Sequence, residues 1–195
     1  MWISLWTLRN FGFKPDIWVA MLSALVLAPG KGSPDFATPE AIVRTLAGLV
    51  PLAVEGIIRD VVLAAWGDAA DALEIAEHAG CSVAQGVNEA SALTAAIGAA
   101  KSDRLFVLRA GQAPEAGFDQ EARDLFDGLS AAAPRSAILR AAPESFLTRV
   151  FPAAAGAAAF IAKRQDVPGG GKSFEGMRKA LQSPLVLRCR MRRLV

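Results

Sequence analysis

The chain predicts an α/β domain: a three-layer α/β/α sandwich around a mostly parallel sheet. Three observations lead there. From Met21 onward, short apolar runs alternate with longer stretches of helical periodicity, the pattern of parallel strands joined by crossover helices. Glycine and proline punctuate the ends of the runs, and capping residues open the helical stretches. With 195 residues, 53% hydrophobic and 21% charged, the chain is long enough for one buried core and too apolar for a disordered one. It contains no internal repeat and no break in composition, so residues 21–187 read as a single domain. A 20-residue extension precedes it, and a basic tail at 188–195 follows.

Leu22–Ala28 is the first expected strand, ended by Pro29-Gly30-Lys31-Gly32. Thr38-Pro39-Glu40 announces a helix, with Thr38 as the cap and Pro39 in the first turn; Ile42, Leu46 and Leu49 share one face, and Pro51 limits it. Ile57–Ala65 holds the second strand. A helix starting near Asp68 turns Leu73, Ile75 and Ala76 inward and closes at Gly80. Ser82–Ala84 is a short third strand. Glu89–Ala100 is an alanine-rich helix, in which Gly98 permits close packing on the sheet. Leu105–Leu108 is the fourth strand, followed by a loop through Gly111 and Pro114. Phe118–Ala132 reads as a helix carrying Leu125, Phe126 and Leu129; Ala137–Leu139 as a strand; Glu144–Phe151 as a short helix; and Ala158–Ala162 as a strand. Gly169-Gly170-Gly171 forms a loop before a helix at Phe174–Leu181, and Leu185-Val186-Leu187 begins a final strand or extended tail.

Residues 1–20 carry Trp2, Trp6, Phe11, Phe13 and Trp18. Ile17 to Ala28 is a nearly continuous apolar run of 12 residues preceded by Arg9 and Lys14. A signal peptide shares that order, but Asp16 adjoins the run and Pro29 follows the one plausible cleavage point; the run is also too short to span a bilayer as a helix. Met21 as the natural start, with Leu22–Ala28 as a buried strand, fits better. Two readings of the extension stand: an amphipathic arm, or an artefact of start-site choice.

The net charge of +2, from 21 basic and 19 acidic side chains, gives no general attraction to nucleic acid. Cys81 and Cys189 are far apart, and His78 is the sole histidine. This is no metal-ligand spacing and no disulfide framework, so free thiols in a reducing cytoplasm are expected.

The stretch from Asp60 to Cys81, DVVLAAWGDAADALEIAEHAGC, is the discriminating one. It resembles, without a gap, the nucleotide-binding segment of family 2 glycosyltransferases of the GT-A fold, in which a strand leads into Asp-Gly-Gly-Ser-Thr-Asp and a helix ending in Ala-Gly-Cys or similar. Two further stretches keep the family's order. Leu25 to Pro29, followed by Arg44 to Pro51, looks like the opening strand and helix. Leu93 to Ala100, followed by Leu105 to Ala110, looks like the helix and strand that lead to the metal-binding Asp-X-Asp. The likeness spans roughly residues 22–165. It implies a GT-A-like domain with a cleft at the carboxyl ends of its strands, between the Ala28–Lys31, Ala65–Asp68 and Arg109–Gln112 loops. It also implies transfer of a sugar from a nucleoside diphosphate donor to an envelope acceptor. The nucleotide-binding candidates it marks are Pro29, Gly30, Ala65, Trp66, Asp68, Arg109 and Gln112.

The departures from the family are specific. Ala65 stands where the resemblance places the base-binding aspartate, and Ala70 where the second aspartate falls. Arg109-Ala110-Gly111 replaces Asp-X-Asp. A carboxylate pair holds Mn²⁺ or Mg²⁺ against a diphosphate and offsets leaving-group charge. Arginine cannot ligate a cation, but its fork of donors binds phosphate directly. No cofactor is therefore expected, unless ligands for Mn or Mg lie outside this position. The enzyme is expected to be degenerate or metal-independent, the alternative being a non-enzymatic binding or scaffold module on the same fold. A nucleotidyltransferase of related architecture is less favoured, because only Pro29-Gly30-Lys31-Gly32 echoes its glycine-rich signature.

The remaining candidates are weaker. Gly171-Lys172-Ser173 ends like a P-loop, but Asp166 occupies the position of its first glycine. His78, just before Gly80, suits a helix C-terminus. Glu115, Asp119, Glu121, Asp124 and Glu144 offer carboxylates without singling out a catalytic base, and Asp68 and Asp71 equally suit a first helical turn. In an extended tail, Arg188, Arg190 and Arg192 share one face, with Cys189 and Met191 on the other. Together with Arg193 they could meet anionic headgroups, which fits a cytoplasmic protein peripheral to the inner membrane.

Overall fold

A computed structural model describes residues 22–127, 136–143, 150, 156–167 and 172–194. The expected arm at 1–20, Leu129, Glu144 and Gly169-Gly170-Gly171 lie outside these residues.

The backbone runs β1 (Leu22–Pro29), α1 (Pro39–Val54), β2 (Ile58–Trp66), α2 (Ala70–Ala79), β3 (Ser82–Gly86), α3 (Glu89–Ala99), β4 (Arg104–Arg109), β5 (Gln112–Pro114) and α4 (Phe118–Asp127). It continues with β6 (Ser136–Arg140), β7 (Ala157–Lys163), a 3₁₀ turn (Arg164–Asp166), α5 (Phe174–Ala180), β8 (Leu185–Val186) and β9 (Met191–Arg193). Seven strands form one sheet in the order β3-β2-β1-β4-β7-β6-β8. β1 pairs in parallel with β2 and β4, β2 with β3, and β6 with β8, whereas β7 runs antiparallel to both its neighbours. The sheet is thus mostly parallel, with one reversed strand.

β1 lies at its centre, and all eight of its residues are buried, as expected for a strand covered on both faces. Alternation along the strands divides the core into two layers. Ala24, Val26, Leu63, Phe106 and Leu108 face α1, α2 and α4, where Ile42, Leu49, Ala72, Ala76, Phe118 and Ala122 meet them. Leu25, Leu27, Val62, Ala64, Val107 and Phe160 face α3 and α5, packing on Leu93, Ala96, Phe174 and Met177. Phe106 stacks at a tilt on Phe118 in the first layer, and Phe160 on Phe174 in the second.

One buried polar group needs a partner at the amino edge, and the sheet supplies it. Ser23 Oγ donates to Asp60 Oδ1 at 2.6 Å and accepts from the Ser102 amide at 2.8 Å, while Asp60 Oδ2 accepts from the Lys101 amide. This knot ties β1, β2 and the turn before β4.

Several local expectations are corrected. Pro51 does not end α1, which continues to Val54: a proline in the last turn removes a bond only from the Ala47 carbonyl, on a residue already exposed to water. The second helix starts beside Asp68 as expected, at Ala70, but its N-cap Ala69 provides no side-chain cap. Leu73 points outward, 41% exposed, and Ala72 and Ala76 form the buried edge of the helix. Gly98 has open space where a Cβ would stand, so it is not a packing glycine. The close approaches are elsewhere. A Cβ on Gly86 would overlap the Ala92 amide nitrogen, and one on Gly48 would sit 2.8 Å from Ala113 Cβ.

The loop expected through Gly111 and Pro114 contains β5, which pairs antiparallel with β9 to form a second, two-stranded sheet. Along the C-terminal segment Leu187, Cys189 and Met191 are buried, Arg188 and Arg192 are exposed, and Arg190 is half-buried. The Glu121 carboxylate fixes this segment by accepting from the amides of Arg188 and Cys189.

Candidate functional site

The carboxyl ends of β1, β2 and β4 lie side by side, and the loops leaving them form a mouth built largely on backbone hydrogen bonds. Gly30 donates its amide to the Trp66 carbonyl at 2.8 Å, Lys31 donates to Asp68, and Asp68 donates back to Lys31. The first two loops are therefore stitched together. Only glycine fits at position 30, since a Cβ there would overlap the Asp68 carbonyl. The Pro29 carbonyl accepts from Ala37, which folds residues 31–37 back over the strand end. On the other side, Ala110 donates to Leu27, and Gly111 donates to Thr45 Oγ1 at 2.8 Å. Buried Thr45 in turn donates to the Ala41 carbonyl, so α1 holds the β4 loop in place. The Leu194 amide adds a bond to the Gly111 carbonyl.

The expected site residues fall into two groups. Pro29, Gly30 and Ala65 are buried, and Ala65 presents its methyl group to the layer under α1 and α2. The backbone amides of Gly30, Lys31, Asp68, Ala110 and Gly111 are consumed internally. The first-turn amides of α2, which begins beside these loops with no side-chain cap, are not among them. Trp66 is partly buried against the layer under α3 and α5, and Asp68 is exposed. Gln112 is half-buried; its Oε1 is shielded from solvent and has no hydrogen-bond partner.

Arg109 is the best-defined polar side chain of the group. Its guanidinium lies 5.1 Å from the centroid of the buried Phe174 ring, and Nη1 is 3.4 Å from Asp35 Oδ2. Its side chain is 31% exposed and that of Asp35 is 70% exposed. On the other flank, Lys31 Nζ is 3.3 Å from Asp71 Oδ2 in the first turn of α2. Asp35 and Phe174 were not singled out from sequence as partners of Arg109. They stand 74 and 65 positions away from it, and no local spacing signals such a contact. The position expected for Asp-X-Asp offers no cation ligands, and no group of three or more His, Cys, Asp or Glu that could hold a metal occurs among the described residues.

The sequence-predicted residues outside the mouth keep separate places. His78 Nδ1 lies 2.8 Å from the Glu74 carbonyl, on the rim of an apolar groove of about 720 Å³ between α1 and α2. Ser173 caps α5 by accepting from Gly176, and Glu89 accepts from the Phe174 amide. Cys81 and Cys189 are both free thiols. Burial raises the pKa of each, that of Cys189 to about 11.

The fold recurs in solved structures. HddC from Yersinia pseudotuberculosis, complexed with GMP-PN, superposes with a TM-score of 0.58 over 89% of this chain and 94% of its own, at 11% identity. A mycobacterial protein matches at TM-score 0.56 and 14% identity, over 91% of this chain and 66% of its own. Glucosyl-3-phosphoglycerate synthase from Mycobacterium tuberculosis, in complex with Mn²⁺, UDP and phosphoglyceric acid, matches at TM-score 0.54 and 14% identity, over 88% and 69% of the two chains. The fold is of the GT-A type, shared by nucleotide-sugar transferases and nucleotidyltransferases. No family model and no curated protein matches the sequence. Within this GT-A-type chain no described helix is long and apolar enough to cross a membrane.

Proposed function

We propose that this chain binds a nucleoside diphosphate, free or as its sugar conjugate, across the carboxyl edge of β1, β2 and β4. Arg109 acts as a fixed phosphate-binding charge in place of a carboxylate-held divalent cation. The observation that carries this reading is the setting of Arg109: it ends β4, beside the central strand, with its guanidinium held over Phe174 at 5.1 Å. A guanidinium positioned over a ring keeps its donor edges directed outward, and a fork of N–H groups matches phosphate oxygens. A fixed positive charge also stabilises negative charge gathering on a diphosphate, the demand that a metal meets in related folds.

The test is thermal stability of the purified protein with UDP, GDP and their sugars, with and without Mn²⁺. A ligand at 100 times its Kd stabilises the native state by about 2.7 kcal/mol, a visible rise in Tm. The expected result is a rise that needs no Mn²⁺ and is lost in Arg109→Ala. No rise with any nucleotide would leave a binding or scaffold module as the better reading.

A further inference from the structure

Two cations at the mouth, Lys31 and Arg109, each face a carboxylate of the chain itself. The segment after β1 crosses the strand ends. At its start Lys31 reaches Asp71, and further along Asp35 reaches Arg109. At 3.4 Å the Arg109–Asp35 contact is longer than the roughly 2.7–2.9 Å of a tight charge-assisted hydrogen bond. Asp35 is largely in water, so its carboxylate is readily rehydrated when the contact opens. Arg109 has a second support in Phe174 and does not depend on Asp35 for its orientation.

We infer that Asp35 is an internal counter-ion which an incoming phosphate must displace from Arg109, so that the mouth binds phosphate ligands more weakly than the guanidinium over Phe174 alone would. This rests on the reading of Arg109 as a phosphate-binding group. Asp35 contributes one negative charge and two acceptor oxygens. A diphosphate brings more charge and more acceptors, and so competes better than a monophosphate for the same guanidinium.

Calorimetric titration with UDP and UMP at low ionic strength tests this in the wild type, Asp35→Asn, Arg109→Ala and Glu40→Gln. Glu40 is exposed in the first turn of α1, and its variant makes the same change in net charge. The wild type is expected to bind UDP more tightly than UMP. Asp35→Asn is expected to tighten both about two- to fivefold, the range spanned by an exposed ion pair. Glu40→Gln is expected to change neither by as much. Unchanged or weaker binding in Asp35→Asn, or equal tightening in Glu40→Gln, overturns the counter-ion role and leaves the phosphate reading standing. Full affinity in Arg109→Ala, or no UDP binding in either the wild type or Asp35→Asn, overturns the phosphate reading itself.

Discussion

Cys189 is 7% exposed, on the inward side of the C-terminal segment. Burial raises its thiol to about 11, and the carboxylates of Glu121 and Glu115 push the same way. The folded protein therefore keeps a proton that the unfolded chain gives up near the ordinary value of 9.0. The stability linked to this thiol is complete below pH 9 and is lost as pH rises from 9 to about 11. Urea denaturation across that window is expected to show the wild type losing stability relative to Cys189→Ala; parallel curves would refute the shift. Thiol labelling of the native protein at pH 8 should correspondingly modify Cys81 before Cys189. Single residues are also where the sequence is hardest to read. Ala65 marks a missing carboxylate on resemblance, yet its burial, which denies any ligand access to its side chain, follows from the helices α1 and α2 that cover that face of β2. Arg109 is conspicuous in the sequence, whereas Asp35 and Phe174 become its partners only once three distant segments meet.

Among elements, α3 shows how local chemistry fixes the start of a helix. Asn88 Oδ1 accepts from the Ser91 amide at 2.9 Å, and Ser91 Oγ accepts from the Asn88 amide at 3.1 Å, forming a reciprocal capping box. Asn88→Ala is expected to cost about 1 kcal/mol in urea unfolding, with Asn88→Gly costing only a few tenths. Equal costs would place the effect elsewhere than in the cap. Caps and apolar runs are short-range, which is why α1, α3 and the four parallel strands β1 to β4 can be read from the sequence. Pro51 misleads because a proline's effect depends on which carbonyl it leaves unbonded and whether water reaches it. The reversal of β7 and the pairing of β5 with β9 are invisible for a different reason. Strand direction and three-residue pairings depend on segments far apart in sequence, and a three-residue run has no periodicity to detect.

For the whole molecule, the sheet divides the apolar interior into two layers with separate aromatic anchors. Phe118 belongs to the layer under α1, α2 and α4, and Phe160 to the layer under α3 and α5. Truncating either to alanine is expected to cost about 3–5 kcal/mol. Because the sheet lies between them and they share no cluster, the losses should add to within about 0.5 kcal/mol. Their sum is comparable with the whole stability of a typical domain, about 5–15 kcal/mol. Circular dichroism at 25 °C should show folded single variants and a largely unfolded double variant. A folded double variant with strongly sub-additive loss would mean that the layers communicate. The layered architecture itself is the most legible level of this protein, since the alternation of apolar runs and helical stretches repeats along the chain.

The pairing of β5 with β9, and the bond from Leu194 to Gly111, carry a consequence for the order in which the molecule is made. β1 to β4 can assemble while synthesis continues, because all four lie within residues 22–109. The loop behind Arg109 gains its outer flank only after the 191–194 segment has emerged from the ribosome. A nascent chain thus acquires its hydrophobic frame first and a finished mouth last, and a stall before residue 191 leaves a folded frame around an unbraced site.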